Sequence, residues 1–541
     1  MKKRTIDAIR SFALLAGLFV FPMAAKAADF APFTASSEML TINGTAQTSA
    51  VAYYVGIGFN HDTLAISNGG SLTLTGAGYA GALSMGNGTL DVGNSVTVDG
   101  AGSSLTVVAL TVGIKGGSDT LTVSNGGTLN GGGWGNTIGN NSNANAVTIT
   151  GVGSTWNAQG NINLNTDSNS ISVLAGGTVT NGSNATLLVG NVYSSNTLTV
   201  SGAGSLFTQQ GRVTVGNTNG ANSGNNNLLL IAAGGVMNVT DSANTGQGII
   251  VAGNGTSTGN RIQIDGGTLN VVSAGSSAPA INVQKGALIL NSGNVTAEVL
   301  LANTDATSVV TFNGGTLSTG NTTISNGAVF TVGNGTASAA LVLNGGTHSF
   351  ANGITLANNA SLSGTGTITS GTLIVSSGAR ISPGNTGPGV LGTAAQTWLG
   401  GGSYVWKMND ATGIQGTNWD FLNGSGTLDI STLSPSSKFT IDLIGLAVGN
   451  VSGAVPNWHN TVDQTWKIGT FASITGTFNA ADFNVDASGF TNNNPLAAGG
   501  VFSISNVGND LYVSYTTPEP ATWMLLVLAG AGAMAMRRRR A

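Results

Sequence analysis

Carboxylates and imidazoles are the side chains of this chain that could run a reaction, and their spacing argues against one. A glycosidase sets two carboxylates across one cleft, and a polysaccharide lyase uses an acidic calcium site beside a Lys or Arg base. The acids here stand singly, at Asp62, Asp91, Asp99, Asp119, Asp167, Asp241, Asp265, Glu298 and Asp305, with no D-x-D cluster. Asp91 and Asp99 come closest to a pair, and isolated acids at chain corners are ordinarily turn formers. His61, His348 and His459 are far apart in sequence, and only His61-Asp62 sets a base beside an acid. The absence of Cys removes disulfides and thiolate sites for metals or catalysis. No G-G-x-G-x-D array for calcium occurs. The expectation is no catalytic residue, no metal site and no cofactor.

Glycine is what the chain has in excess. It supplies 84 of 541 residues, about 16% against an ordinary ~7%, while charged residues are 7% and hydrophobic ones 41%. Pro and Gly together stay below the ~25–30% that marks disorder, and no G-x-y period points to collagen. The glycines repeat. Val96-Thr97-Val98-Asp99-Gly100-Ala101-Gly102-Ser103 aligns with Val147-Thr148-Ile149-Thr150-Gly151-Val152-Gly153-Ser154 and with Leu198-Thr199-Val200-Ser201-Gly202-Ala203-Gly204-Ser205, at intervals of 51 residues. Paired glycines at 126–127 and 176–177 halve that interval, so the working period is about 25 residues.

Within a unit, Leu121-Thr122-Val123-Ser124-Asn125-Gly126-Gly127-Thr128-Leu129-Asn130 alternates apolar and polar on either side of a glycine corner. Third short strands follow, such as Leu110-Thr111-Val112-Gly113 and Leu187-Leu188-Val189-Gly190. Three strands and three corners per unit predict a right-handed parallel β-helix. Coils stacked about 4.8 Å apart put Val, Leu and Ile in inward columns and Thr, Ser and Asn in outward ones. Residues ~40–385 then hold about 13 coils, on the order of 65 Å of rod. An antiparallel sandwich is the competing fold, since Asn-Gly turns are frequent there too. Thr-rich strands such as Leu72-Thr73-Leu74-Thr75 leave an ice- or glycan-binding face as an alternative function. The corner words, Gly151-Val152-Gly153-Ser154-Thr155-Trp156 among them, resemble the autotransporter-associated β-strand repeats of secreted bacterial β-helices over roughly 90–385. The resemblance implies the fold and surface exposure, not an activity.

From Pro383 the texture changes. Ser382-Pro383-Gly384-Asn385-Thr386-Gly387-Pro388-Gly389 reads as a linker, and Trp398, Trp406, Trp419, Trp458 and Trp466 follow it. The expectation is a β cap or small sandwich at 390–516 that ends the rod, with a sugar-stacking platform as the alternative use of the aromatics.

Both ends of the chain are distinct. Lys2, Lys3, Arg4 and Arg10, an apolar run at 12–22 and the small residues of Ala25-Lys26-Ala27 lay out a secretory signal peptide cleaved after Ala27. At the other end Pro518-Glu519-Pro520 precedes an apolar stretch at 521–536 and Arg537, Arg538, Arg539 and Arg540. Sixteen helical residues reach about 24 Å, a little short of a ~30 Å hydrocarbon core, and the arginines act as a stop-transfer signal that stays cytoplasmic. This ending resembles the PEP-CTERM sorting signal of Gram-negative bacteria. The resemblance implies recognition of the tripeptide by an exosortase-type membrane protease, and a setting of exopolysaccharide and biofilm.

Removing the leader (five Lys/Arg, one Asp) and the tail (four Arg, one Glu) leaves 8 basic and 19 acidic residues, a net charge of −11. Eight cations over such a length give no stripe that could track phosphates, which argues against nucleic-acid binding. The predicted organisation is a signal peptide at 1–27, β-helix at 28–389, cap at 390–516 and sorting tail with one transmembrane helix at 517–541. The predicted function is an exported, non-enzymatic structural or adhesive protein of the envelope or polymer matrix, transiently membrane-anchored and touching exopolysaccharide. A polysaccharide-degrading β-helix enzyme stays as the remaining alternative.

Overall fold

The computed structural model describes residues 3–6 and 33–517, apart from 191, 217–223, 242–246, 253–255, 274–277 and 304. The chain divides between Ile354 and Thr355 into two compact units.

The first unit is a parallel β-helix. Each coil has three faces, as in Ser95–Asp99, Ser104–Val107 and Ala109–Val112, followed one coil later by Thr120–Ser124, Thr128–Gly131 and Asn136–Ile138. Strands pair in parallel with the equivalent strand of the next coil, so alternation along a strand becomes a column along the unit. On the first face Leu40, Leu64, Val96, Leu121, Val147, Ile171, Leu198, Leu229, Ile262 and Leu288 follow one another in register, all buried. On the second face Leu72, Leu105, Leu129, Trp156, Val179, Phe207, Met237, Leu269 and Val295 form the matching column. Bulky Trp156 sits between Leu129 and Val179, a large side chain between smaller ones in the same column. Outward residues bond along the stack, as in Thr63 Oγ1 to Ser95 Oγ at 2.8 Å and Asn157 Nδ2 to Asn130 Oδ1 at 2.7 Å.

The 51-residue interval has a structural cause. Corners of the G-x-G-S kind alternate with Asn-Gly-Gly or Ala-Gly-Gly corners from coil to coil. The serine of one kind is fully buried and accepts from a glycine N–H of the other: Gly69 N to Ser103 Oγ at 3.1 Å, Gly126 N to Ser154 Oγ at 3.0 Å and Gly176 N to Ser205 Oγ at 3.0 Å. Gly126 (φ +89°) takes the left-handed turn, and a Cβ on Gly127 would lie 2.3 Å from the Val98 carbonyl oxygen of the coil below. The period of about 25 residues holds from Val96 to Leu198, with steps of 25, 26, 24 and 27 residues, and then stretches to 31 at Leu229 and 33 at Ile262.

Lys3–Ile6, within the expected leader, pairs in parallel with Met39–Asn43 at the first coil. An open strand edge accepts any extended segment whose backbone is unpaired, and cleavage after Ala27 would remove this one.

The second unit continues the same kind of stacking. Leu362, Ile381, Tyr404, Ile441 and Val485 form its inward column, with parallel register throughout. Within the stretch 390–516 expected as a cap, the end is antiparallel, where Asp510–Thr516 pairs with both Gln464–Thr470 and Val501–Val507. Parallel pairing therefore runs well past residue 390. The Pro/Gly stretch at 382–389 is built into the unit rather than left as a linker. Lys407 Nζ, buried, donates to Ser382 Oγ and Pro383 O at 2.6 Å each and to Asp420 Oδ2 at 2.7 Å, while Asp420 Oδ1 accepts from Gly389 N at 2.9 Å. A buried ammonium needs such acceptors, and the loop supplies them.

The membrane-spanning helix expected at 521–536 lies outside the described residues. Among the described residues no helix is long and apolar enough to cross a membrane.

Candidate functional site

The acids that could have formed a catalytic pair are each engaged with their own neighbourhood. Asp91 accepts from the backbone of Gly58 (2.8 Å) and Gly88 (2.6 Å). Asp99 accepts from Ser124 Oγ and Asn125 Nδ2, both at 2.7 Å, so it does not face Asp91 as a partner. Asp167 accepts from Ser194 N, Asp265 from Gln263 and Asn291, and Glu298 from Ser273 N. The His61-Asp62 neighbours point apart: His61 is exposed, Asp62 fully buried.

Asp62 and Asp119 belong to a feature that the sequence reading missed. Just before eight successive first-face strands, from Thr63–Ser67 to Arg261–Ser273, stands a buried Asn or Asp, and these stack into a ladder of Asp62, Asn94, Asp119, Asn145, Asn169, Asn196, Asn227 and Asn260. The Oδ1 of each rung accepts the backbone N–H of the rung before it, at 2.8–3.1 Å from Asp62 N–Asn94 through Asn227 N–Asn260. Several Nδ2 groups also donate onward, as Asn145 does to Asn169 at 3.0 Å and Asn227 to Asn260 at 2.9 Å. Asp119 accepts from Asn94 N and Nδ2, but its Oδ2 replaces the donor an asparagine would offer and has no hydrogen-bond partner. Burial pushes the Asp119 carboxyl up to about 7, against the pull of the Asn94 hydrogen bonds. Asp62 is raised for the same first reason. These carboxyls are perturbed by structural burial, the commoner alternative to a functional site. The cue in sequence is an Asn or Asp recurring immediately ahead of the first-face strands from Thr63 to Arg261.

Where the ladder ends, a surface cleft of about 590 Å³ opens, lined by Asn260, Arg261, Lys285, Asp305 and the hydroxyl residues Thr256, Ser257, Thr258 and Thr307. Lys285 pairs with Asp305 at 3.4 Å, and Arg261 bonds Gln263 Oε1 at 3.2 Å. Asp305 is the cleft's lone carboxylate, so it lacks the second one a glycosidase employs. The arrangement of two cations, one carboxylate and several hydroxyls can hold a polar or anionic group. Among the described residues no group of three or more His, Asp or Glu is placed to hold a metal ion.

Among the described tryptophans of the second unit, Trp398, Trp406 and Trp466 are buried, and Trp419 and Trp458 are half-buried. Trp398 stacks on Phe439 with ring centroids 4.3 Å apart, and Trp406 and Trp466 donate to the carbonyls of Asp420 and Ala411. Trp458 packs against Phe490 and Tyr515, and Trp419 donates to Lys467 O. Each of the five is held by ring packing or a hydrogen bond within its own unit. Ala25, Ala27, Pro518, Glu519, Pro520 and Arg537 to Arg540 lie outside the described residues. The last described residue is fastened: Thr517 N and Oγ1 both donate to Asp463 Oδ1, at 2.6 and 2.7 Å.

No curated protein matches the chain. Residues 516–540 match the PEP-CTERM protein-sorting motif. The tail is similar to this sorting motif over those residues. The PEP-CTERM motif implies an exported protein handled by exosortase and tied to the Gram-negative cell envelope. Among solved structures the chain is similar to the crystal structure of the TibC-catalyzed hyper-glycosylated TibA55-350 fragment, at 14% identity and TM-score 0.26, over 78% of this chain and 100% of that one.

Proposed function

We propose that this chain is a surface-associated β-helical scaffold or adhesin, exported through its leader, held by an apolar helix at 521–536 and processed at Pro518-Glu519-Pro520. It works in the envelope or the extracellular polymer matrix through many weak contacts made by a long, sparsely charged body, as the autotransporter-like corner repeats also suggest. The observation that carries the reading is the PEP-CTERM tail at 516–540 on a parallel β-helix. Asp91, Asp99 and Asp119 each accept hydrogen bonds from neighbouring backbone, amide or hydroxyl groups, which favours a scaffold over an enzyme. The test is expression with and without an exosortase, following the tail by mass and the body by surface labelling. Normal display of the intact and the Glu519→Ala chain in the exosortase-null strain would sink the sorting half. Turnover of an acidic or neutral polysaccharide by the purified protein, lost on changing one acid, would overturn the non-enzymatic half.

A further inference from the structure

In the first unit two large aromatics stand almost fully in solvent, Tyr79 at 72% and Trp134 at 65% exposure. An indole left in water forgoes roughly 2–3 kcal/mol of burial, so a chain that packs Trp156, Trp398 and Trp406 completely makes Trp134 an exception. The two rings meet edge to face with centroids 6.3 Å apart, across the short turn at Val108 that separates their coils. Beyond Trp134, in the direction of later coils, lies a shallow hollow of about 220 Å³. Its lining is Gly133, Gly135 and Gly160 beside the indole, with Gln159, Asn161 and Asn184 around them. The hollow is built in advance. Asn136, fully buried, donates Nδ2 to the carbonyls of Gly132, Gly160 and Asn161 at 3.3, 3.4 and 3.3 Å, tying the two loops together. Thr186 N donates to Asn161 Oδ1 at 2.8 Å and fixes that carboxamide at the rim.

We infer that Tyr79, Trp134, Gln159, Asn161 and Asn184 form a binding site for a neutral polysaccharide. The negative face of an aromatic ring attracts the C–H groups on the apolar side of a pyranose, and carboxamides pair with its hydroxyls as both donors and acceptors. The hollow is the size of a single pyranose ring, and glycines beside the indole let the ring lie flat against backbone. None of the lining residues carries a charge, which selects against uronic acids and phosphates. The row runs along the coil axis over four coil steps, on the order of 19 Å at ~4.8 Å each, so it follows a chain rather than a single sugar. This deepens the matrix reading above, on which it rests for where such a glycan is met.

The test uses the full mature protein in affinity electrophoresis with a neutral β-glucan, a mannan and alginate. Retention by a neutral glycan and none by alginate is expected. Trp134→Ala should weaken it about tenfold or more, Tyr79→Ala less, and Trp134→Phe should restore most of it. Both side chains are exposed, so melting temperature and circular dichroism should not change. Undiminished binding by Trp134→Ala, or no neutral-glycan retention by the parent, overturns the proposal; capture of a protein instead, dependent on Trp134, also overturns it. Exosortase-dependent sorting of Trp134→Ala, followed in parallel, separates failure of this site from failure of the sorting reading.

Discussion

Asp119 occupies a rung that its neighbours fill with asparagine, and the difference is one missing donor. With its carboxyl raised from 3.8 to about 7, the folded state holds a proton that the unfolded chain has released. Below pH ~4 both states are neutral and the rung contributes fully; that contribution is lost as pH rises from there through about 7. Asp119→Asn should therefore melt with the parent at pH 4 and above it at pH 8, by at most about 4 kcal/mol at ~1.4 kcal/mol per unit. A variant less stable at both pH values would mean that Oδ2 has a partner. Trp156 poses a simpler question. Its indole is fully buried and its Nε1 has no hydrogen-bond partner. Trp156→Phe should be neutral or stabilising by up to ~1 kcal/mol, since no bond is lost, while Trp156→Ala should cost about 3–5 kcal/mol through the cavity. Equal losses in a denaturant titration of the two variants would contradict that.

The ladder and the strands do different jobs within a coil. Inward columns of Leu, Val and Ile hold coils together without direction, whereas the asparagine rung fixes register, because its Oδ1 must meet one particular N–H of the adjacent coil. Asn169→Leu removes the acceptor for Asn145 N and Nδ2 (2.9 and 3.0 Å) and the donor to Thr166. Two buried donors are then orphaned at roughly 1–3 kcal/mol each. Hydrogen exchange should accelerate in the coils around 145 and 169 and hardly at all in distant ones, since repeats couple to their neighbours. In the second unit the corresponding keystone is Lys407–Asp420. Burial raises the Asp420 carboxyl while the Lys407 ammonium draws it back. Lys407→Met leaves that carboxyl alone among Trp406 and Tyr404, and should destabilise the unit by about 3–5 kcal/mol. The loop at 384–389 should become the first site of proteolysis.

Across the molecule, alternating corners make pairs of coils the natural unit of addition and loss. Deleting residues 102–152 removes 51 residues and still joins Ala101 to Gly153-Ser154, restoring a G-x-G-S corner. Deleting 125–150 removes one coil and sets Gly151-Val152-Gly153-Ser154 against Gly100-Ala101-Gly102-Ser103. The first should fold with near-parent circular dichroism and melting, and the second should melt markedly lower; the reverse order would remove the account of the period. The Asp463–Thr517 clasp fastens the last described residue, one before Pro518. Asp463→Ala should speed protease cleavage around residue 517 with little change in overall stability, because the clasp is solvent-exposed.

The strand columns, the glycine corners and the PEP-CTERM motif could be read directly from the chain, because each rests on residues within one coil's reach. Alternation of Leu121, Thr122 and Val123 decides inside and outside over a few residues, and a leader or tail is a local string of charge and hydrophobicity. Stacking decided the rest. An asparagine ahead of a strand reads as a turn former whether it faces inward or out, and its partner lies a full coil away, as Asn145 and Asn169 do. The Pro/Gly stretch at 382–389 has a linker's composition, and only the buried Lys407 and Asp420 turn it into packed structure. Tyr79 and Trp134 are separated by a whole intervening coil, so their encounter exists only once the coils are stacked.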